Sequence, residues 1–276
     1  MTNNFMCFPQ WKEKALTFSY DDGNIKDRDL VELFNKYGVK GTFNLNSAKF
    51  YENGATGNIS KKEIKKLYKG HEVAVHTVTH PRLECLPTSL VAKEIASDKE
   101  ELEKLSGTIV QGMAYPFGTY NNDVIEVAKA CGIKYSRTVE AHHSFKVTSS
   151  DSWLKMPSTC HHADDRLFEL AEKFVAGDPS SARFDYTGWL FYVWGHSFEF
   201  RTEEDWQRME GFISMVSNRE DTWYATNIEI YEYVEAYRGL VYSNDATMVY
   251  NPSAIDIYML HNKKKVVVKA GKTVKL

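Results

Sequence analysis

Five short stretches of this 276-residue sequence put reactive side chains where strands end. Asp21 and Asp22 stand together before Gly23 in "TFSYDDG", His76 and His80 are four apart in "HTVTH", and "AYPFG" covers 114–118. "TCHH" follows at 159–162, and His196 closes "FYVWGH". Neighbouring carboxylates repel, so a pair at one strand end reads either as a solvated turn with an N-cap or as the start of an active site. For the histidines geometry decides. On a straight strand His76 and His80 would stand roughly 13 Å apart with parallel side chains, too far to share an ion. If the strand ends near His76 and the chain coils into a helical turn, residues i and i+4 become neighbours, and Pro81 stops the turn at His80. Two neutral imidazoles and one carboxylate from the first strand end then make a three-ligand set with a position left open. That is the pattern of catalytic zinc sites, whereas structural ones are closed and cysteine-rich.

The elements that must position these groups alternate along the chain. "KALTFSY" precedes "DRDLVELFNKYG", "VKGTFNLNS" precedes "SKKEIKKLYKG", and "HEVAVHT" precedes the long helix "TSLVAKEIASDKEELEKLSG", stopped by Gly107. "VQGMAYPFG" leads to "NNDVIEVAKACG", with Asn121 or Asn122 as N-cap and Gly132 as the stop. "IKYSRTV" and "SWLKMPST" read as strands, the second before helix "DDRLFELAEKFVAG", and "GWLFYVWGHS" precedes the helix "TEEDWQRMEGFISMVSN". "TWYATNIEIYEYVEAY" starts as a strand and turns helical at about Asn227. This rhythm predicts a parallel sheet with crossover helices, and seven or eight such units suit a (β/α)7–8, TIM-like barrel. An open doubly wound sheet would usually carry a glycine-rich phosphate turn, and neither phosphate-binding motif occurs. After residue 240 only strand patterns remain, "TMVYNP", "AIDIYML" and "KVVVKAG". Residues 1–240 are therefore expected to form the barrel and 241–276 a small β appendage packed on it. Barrel chemistry sits at the C-terminal strand ends, where these motifs fall.

Composition narrows the partners. A hydrophobic fraction of 43%, a charged fraction of 26% and a formal net charge of −3 describe a globular chain with no electrostatic pull towards nucleic acid or an anionic membrane. The basic "NKKKVVVKAGKTVK" alternates with apolar residues and reads as a charged edge strand. No run approaches eighteen apolar residues, so no membrane span is expected. No secretion signal is visible at the N-terminus, and Cys7, Cys85, Cys131 and Cys160 are scattered, which predicts reduced thiols and a cytoplasmic location. Cys160 has no companion motif for a thiol nucleophile, and Ser197 in "GHSFE" lacks the second glycine of a nucleophile elbow.

"TFSYDDG", "HTVTH", "AYPFG" and "FYVWGH", in this order and at these separations, resemble the polysaccharide deacetylases, carbohydrate esterase family 4 with its NodB-homology domain. The resemblance covers roughly residues 14–235 and implies a distorted (β/α) barrel with one divalent metal, commonly zinc. It implies Asp21 as general base, Asp22, His76 and His80 as metal ligands, the backbone N–H of Phe117 as oxyanion donor and His196 as general acid. The implied substrate is an acetylated carbohydrate, with N-acetyl groups preferred and O-acetyl groups, or a non-catalytic glycan-binding relative, as alternatives. Two positions depart from the family. Ala114 stands where members often carry an arginine that contacts the base, and "DSWLKMPSTCHH" supplies Asp151, Trp153, His161 and His162 in place of the aspartate-tryptophan motif. His161 or His162 is read as orienting base or substrate, Glu199 as a surface residue, and Trp153, Trp194 and Tyr224 as an apolar floor for a sugar ring or acetyl methyl.

Overall fold

The computed structural model describes residues 4–50, 57–181 and 186–276. Strand β1 (Asn4–Cys7) lies outside the barrel, and β2 (Lys14–Asp21) begins it. Alternation along β2 sorts its side chains. Leu16, Phe18 and Tyr20 enter the apolar shell shared with the helices, while Thr17, Ser19 and Asp21 hydrogen-bond to side chains of other elements inside the ring. Helix α1 (Asp27–Tyr37), β3 (Gly41–Leu45), the single turn α2 (Ile64–Leu67) and β4 (Glu72–Val75) follow. The longer helix expected around α2 does not form, since Ile64 is the only buried residue in that lysine-rich turn. Helix α3 (Thr88–Ser106) closes on Gly107 at φ 76°, a left-handed cap that glycine adopts without penalty.

After β5 (Gly112–Ala114), helix α4 (Asn122–Ala130) is capped by Asn121, whose side chain accepts from the Val124 N–H at 2.9 Å. Strand β6 (Tyr135–Ala141) leads to β7 (Met156–Ser158) and β8 (Cys160–His161). The expected strand at 152–159 opens instead as a 3-10 turn over Trp153–Lys155, closed by the Lys155 N–H on Ser152 O at 2.8 Å. Then come α5 (Leu167–Ala176), β9 (Trp189–His196), α6 (Glu203–Val216), β10 (Thr222–Tyr224) and α7 (Asn227–Arg238).

The parallel order is β7-β6-β5-β4-β3-β2-β9-β8, with β10 pairing the start of β2. The two ends of that order are halves of one stretch separated by Thr159. Its N–H donates to Tyr192 O at 2.8 Å, and the His143 N–H donates to its carbonyl at 3.0 Å. The ring thus comes round at a strand that changes partner, with no unbroken ladder there, which makes this a distorted barrel.

Beyond α7 lie β11 (Val241–Tyr242), β12 (Met248–Tyr250), β13 (Ile257–His261), β14 (Lys264–Val268) and β15 (Thr273–Lys275). They form two small sheets, β11-β12-β15 and β1-β13-β14. Residues 4–7 therefore pair with the C-terminal strands, and Met6, Phe8, Tyr233, Val249, Ile257 and Met259 share one buried cluster.

Candidate active site

Where β2 ends, Asp22 turns the chain at once with φ 79°. The residues after β4 do not form the helical turn expected of them. Thr77 and His80 are both left-handed, at φ 70° and 61°, and side chains hold them so. Asn46 Nδ2 donates to the carbonyls of His76 and Thr77, Asp98 Oδ2 accepts from the His76 N–H at 3.1 Å, and the His80 N–H donates to Thr77 Oγ1 at 3.1 Å. The result still meets the requirement, since the two imidazole centroids are 4.7 Å apart. Asp22, His76 and His80 each offer a ligand atom within 4.8 Å of the others.

Their chemistry fits a divalent cation. His76 Nδ1 lies 2.8 Å from Ala114 O. A carbonyl only accepts, so Nδ1 carries the hydrogen and Nε2 keeps the lone pair a metal needs. Burial pushes His76 down to about 4 and lowers His80 as well, keeping both neutral. One competitor is present, because Lys49 Nζ donates to Asp22 Oδ1 at 2.7 Å.

Asp21 is held differently from its neighbour. It is buried, Oδ1 accepts from Asn44 Nδ2 at 2.8 Å, and Oδ2 takes the guanidinium of Arg137. Burial alone would raise its pKa, but Arg137, then His76, His196 and the Asn44 amide, outweigh that and hold it below the ordinary aspartate value. His76 Nε2 and His196 Nε2 face the same oxygen at 3.8 and 4.0 Å. Strand register makes this cluster: Asn44 and His196 are the residues paired with Asp21 on either side of β2.

Arg137 was not singled out in the sequence, and it answers the departure at Ala114. In the β5–β6 ladder the residue paired with Ala114 is Arg137. The guanidinium reaches the base from the neighbouring strand, braced by Nη1 on Thr138 O at 3.1 Å and by the Trp194 ring 4.2 Å from Cζ. The available signal was a charge inside the strand pattern "IKYSRTV", which must find a buried partner.

On the other side of Asp21, His196 Nδ1 lies 3.3 Å from Glu199 Oε2. That oxygen also accepts from the His196 backbone N–H at 3.0 Å and faces His161 Nε2 at 3.1 Å and His162 Nε2 at 3.3 Å. Glu199 is thus no bare surface group, since it anchors three imidazoles. Burial lowers His196, but the Glu199 carboxylate 3.3 Å from Nδ1 and the Asp21 charge outweigh burial and raise it above the ordinary value. His161, His196 and Glu199 also meet the distance test for a metal set, within 4.8 Å. The His161 tautomer decides otherwise. Its Nδ1 accepts from the Ala163 N–H at 3.1 Å, so Nε2 carries the hydrogen, turned to Glu199 Oε2 at 3.1 Å, and has no lone pair for a metal. His162 stacks on Phe200 and is pushed down to about 3 by burial. Only glycine fits at 195, where a Cβ would lie 2.1 Å from His162 Nδ1.

The remaining expected site residues separate. Phe117 is at the site, in the first turn of the 3-10 segment Pro116–Gly118 with φ 59°, its ring 4.6 Å from His80. A first-turn N–H has no intrahelical acceptor. Trp194 is at the site through Arg137 and His161. Trp153 and Tyr224 are not. Trp153 Nε1 donates to Glu235 at 2.7 Å and the ring packs on Tyr231 of α7. Tyr224 pairs with Leu16, early in β2, and its hydroxyl donates to Val216 O at 2.8 Å. Asp151 is exposed and among the described residues accepts hydrogen bonds from its neighbours Ser149 and Ser152. The buried Cys160 thiol is pushed up to about 12 by burial, and Ser197 donates to Asp27 at 2.5 Å.

Comparison with known proteins adds a family. Residues 9–136 match the family model described as polysaccharide deacetylase. A poly-β-1,6-N-acetyl-D-glucosamine N-deacetylase of Staphylococcus aureus is 26% identical over 135 residues, 42% of this chain and 47% of that protein. The chain spans less than half the length of the curated relatives it matches. Among solved structures, a candidate polysaccharide deacetylase of Mycobacterium smegmatis gives a TM-score of 0.59 at 16% identity over 84% of this chain and 93% of that one. A family 4 carbohydrate esterase pseudoenzyme of Bacillus anthracis gives 0.52 at 18% identity over 82% and 68%. At these identities the likeness is one of fold.

Proposed function

We propose that this chain, whose residues 9–136 match the polysaccharide deacetylase family model, belongs to that family and removes acetyl groups from an N-acetylated carbohydrate. The observation that carries the reading is the division between the adjacent carboxylates. Asp22 joins His76 and His80 in a ligand set, while Asp21 is kept ionised by Arg137 and turned towards His196. Asp22, His76 and His80 would hold one divalent ion, zinc being the natural match to two imidazoles and a carboxylate. Bound there, the ion would supply Lewis acidity towards water and the acyl oxygen at neutral pH.

The protein's own groups do the rest. Asp21 Oδ2 takes the proton of the attacking water, a contribution of roughly 10²–10⁴-fold for a placed base. The Phe117 N–H donates to the oxyanion that develops on the acyl group. His196, with Nδ1 facing the Glu199 carboxylate at 3.3 Å, presents Nε2–H to the departing sugar nitrogen. A leaving amine is too basic to depart unprotonated, so the raised pKa of His196 suits that task.

The test is acetate release from a panel of N- and O-acetylated mono- and oligosaccharides, with and without chelation and zinc replenishment. Metal-dependent release, fastest from N-acetyl sugars, is expected. Faster release from O-acetyl sugars would make it an esterase. Glycan binding without any release would make it a non-catalytic relative.

A further inference from the structure

We propose that Phe198 and the open edge of Glu199 form the subsite for the pyranose ring that carries the leaving atom. This rests on the deacetylase reading and names what the site selects: a ring to stack, not acetyl groups in general. The argument starts from the acid. His196 must reach an atom bonded directly to the sugar, so that sugar lies on the His196 side of the reacting carbon. The ring covering that side is Phe198, with centroids 4.8 Å apart and planes 35° apart.

Phe198 is 38% exposed, although it stands one residue from the buried Ser197 and two from the buried Phe200. Among the described residues the exposed aromatics are Phe117, Tyr186, Phe198 and Tyr250, and two of these flank the site. Phe117 is on the acyl side and already stacked by the Arg82 guanidinium, 4.6 Å from its centroid. Phe198 offers an aromatic surface to the C–H face of a sugar ring. Beside it, the protein contacts of Glu199 run through Oε2. Among the described residues no hydrogen bond reaches Oε1, which could accept from a sugar hydroxyl, a charge-assisted hydrogen bond that would fix the ring's orientation. An apolar surface with one placed polar group is the usual make-up of a small-molecule site.

Two arms test the subsite. In the first, Phe198→Ala should lower kcat/KM on a soluble N-acetylglucosamine oligomer by about 10-fold more than on vinyl acetate, an activated ester without a ring, and Phe198→Trp should restore the difference. Equal losses on both substrates would overturn the proposal. The second arm needs no turnover. Affinity for the same oligomer is measured with Asp21→Asn protein and with the Asp21→Asn/Phe198→Ala double variant. The second substitution should weaken binding by about 10-fold, and unchanged affinity would overturn the proposal even if no deacetylation were found.

Discussion

Asp21 and Glu72 are both carboxylates buried inside the same ring of strands, and they are held in opposite states. Asp21 stands at the end of β2 against a guanidinium. Glu72 stands at the start of β4 among neutral donors: the Tyr135 hydroxyl at 2.7 Å, the Thr42 hydroxyl at 2.8 Å and the Ile228 N–H at 2.9 Å. Burial pushes Glu72 up to about 7, while the charges around Asp21 outweigh burial and hold it low. One partner makes the difference. With a cation a buried carboxylate stays ionised and can take a proton, whereas with neutral donors it becomes a structural acid, here tying the start of α7 to the ring. The two ends of one barrel thus separate chemistry from assembly.

The largest way to break this contrast is to remove the guanidinium. Arg137→Met leaves Asp21 buried without its cation, which should cost about 3–5 kcal/mol of stability and drive the Asp21 pKa upward. Acetate release should fall at least about 10-fold at neutral pH, with the acidic limb of its pH profile moved to higher pH. Because Ala114 and Arg137 are paired across the ladder, Ala114→Arg in that background should recover part of both losses. Failure to move the acidic limb would show that Arg137 only packs.

At the other end the same logic runs through stability. Glu72 keeps its proton to about 7 in the folded protein but loses it near 4.5 when unfolded. The unfolded state therefore binds fewer protons between those values, and stability falls as pH rises through them. Glu72→Gln should remove that slope, leaving about 2–3 kcal/mol less loss of unfolding free energy between pH 5 and 8 than in the parent, read by denaturant titration. An unaltered slope would place the titration elsewhere, in Asp27 or Asp98, which burial also pushes up to about 7.

The smallest effect concerns Lys49, which donates to Asp22 Oδ1 in competition with a cation. Lys49→Ala should tighten zinc binding by a few-fold, in keeping with the ~0–1 kcal/mol of a partly exposed pair. Calorimetry of metal binding reads it, and weaker binding would mean that the lysine orients Asp22 for the ion.

What was legible in the sequence follows the same division. Asp21, Asp22, His76, His80 and His196 were visible because they fall at the ends of three strand patterns, and parallel strands bring such ends together. Arg137 was not, because its meeting with Asp21 depends on strand register across 116 residues. Glu199 looked like a surface residue because three residues of spacing do not reveal that three imidazoles share its one oxygen. Trp153 and Tyr224 were misplaced for a related reason: an aromatic residue marks a buried position, not which end of the barrel it faces.

The central claim is that Asp22 binds the metal while Asp21 serves the water. Asp21→Asn keeps the size and the Asn44 side of the site while removing the base. Metal analysis and acetate release on that single variant should give about one equivalent of zinc with turnover down at least about 10²-fold. Loss of the zinc, or turnover within a few-fold of the parent, would contradict the division of labour.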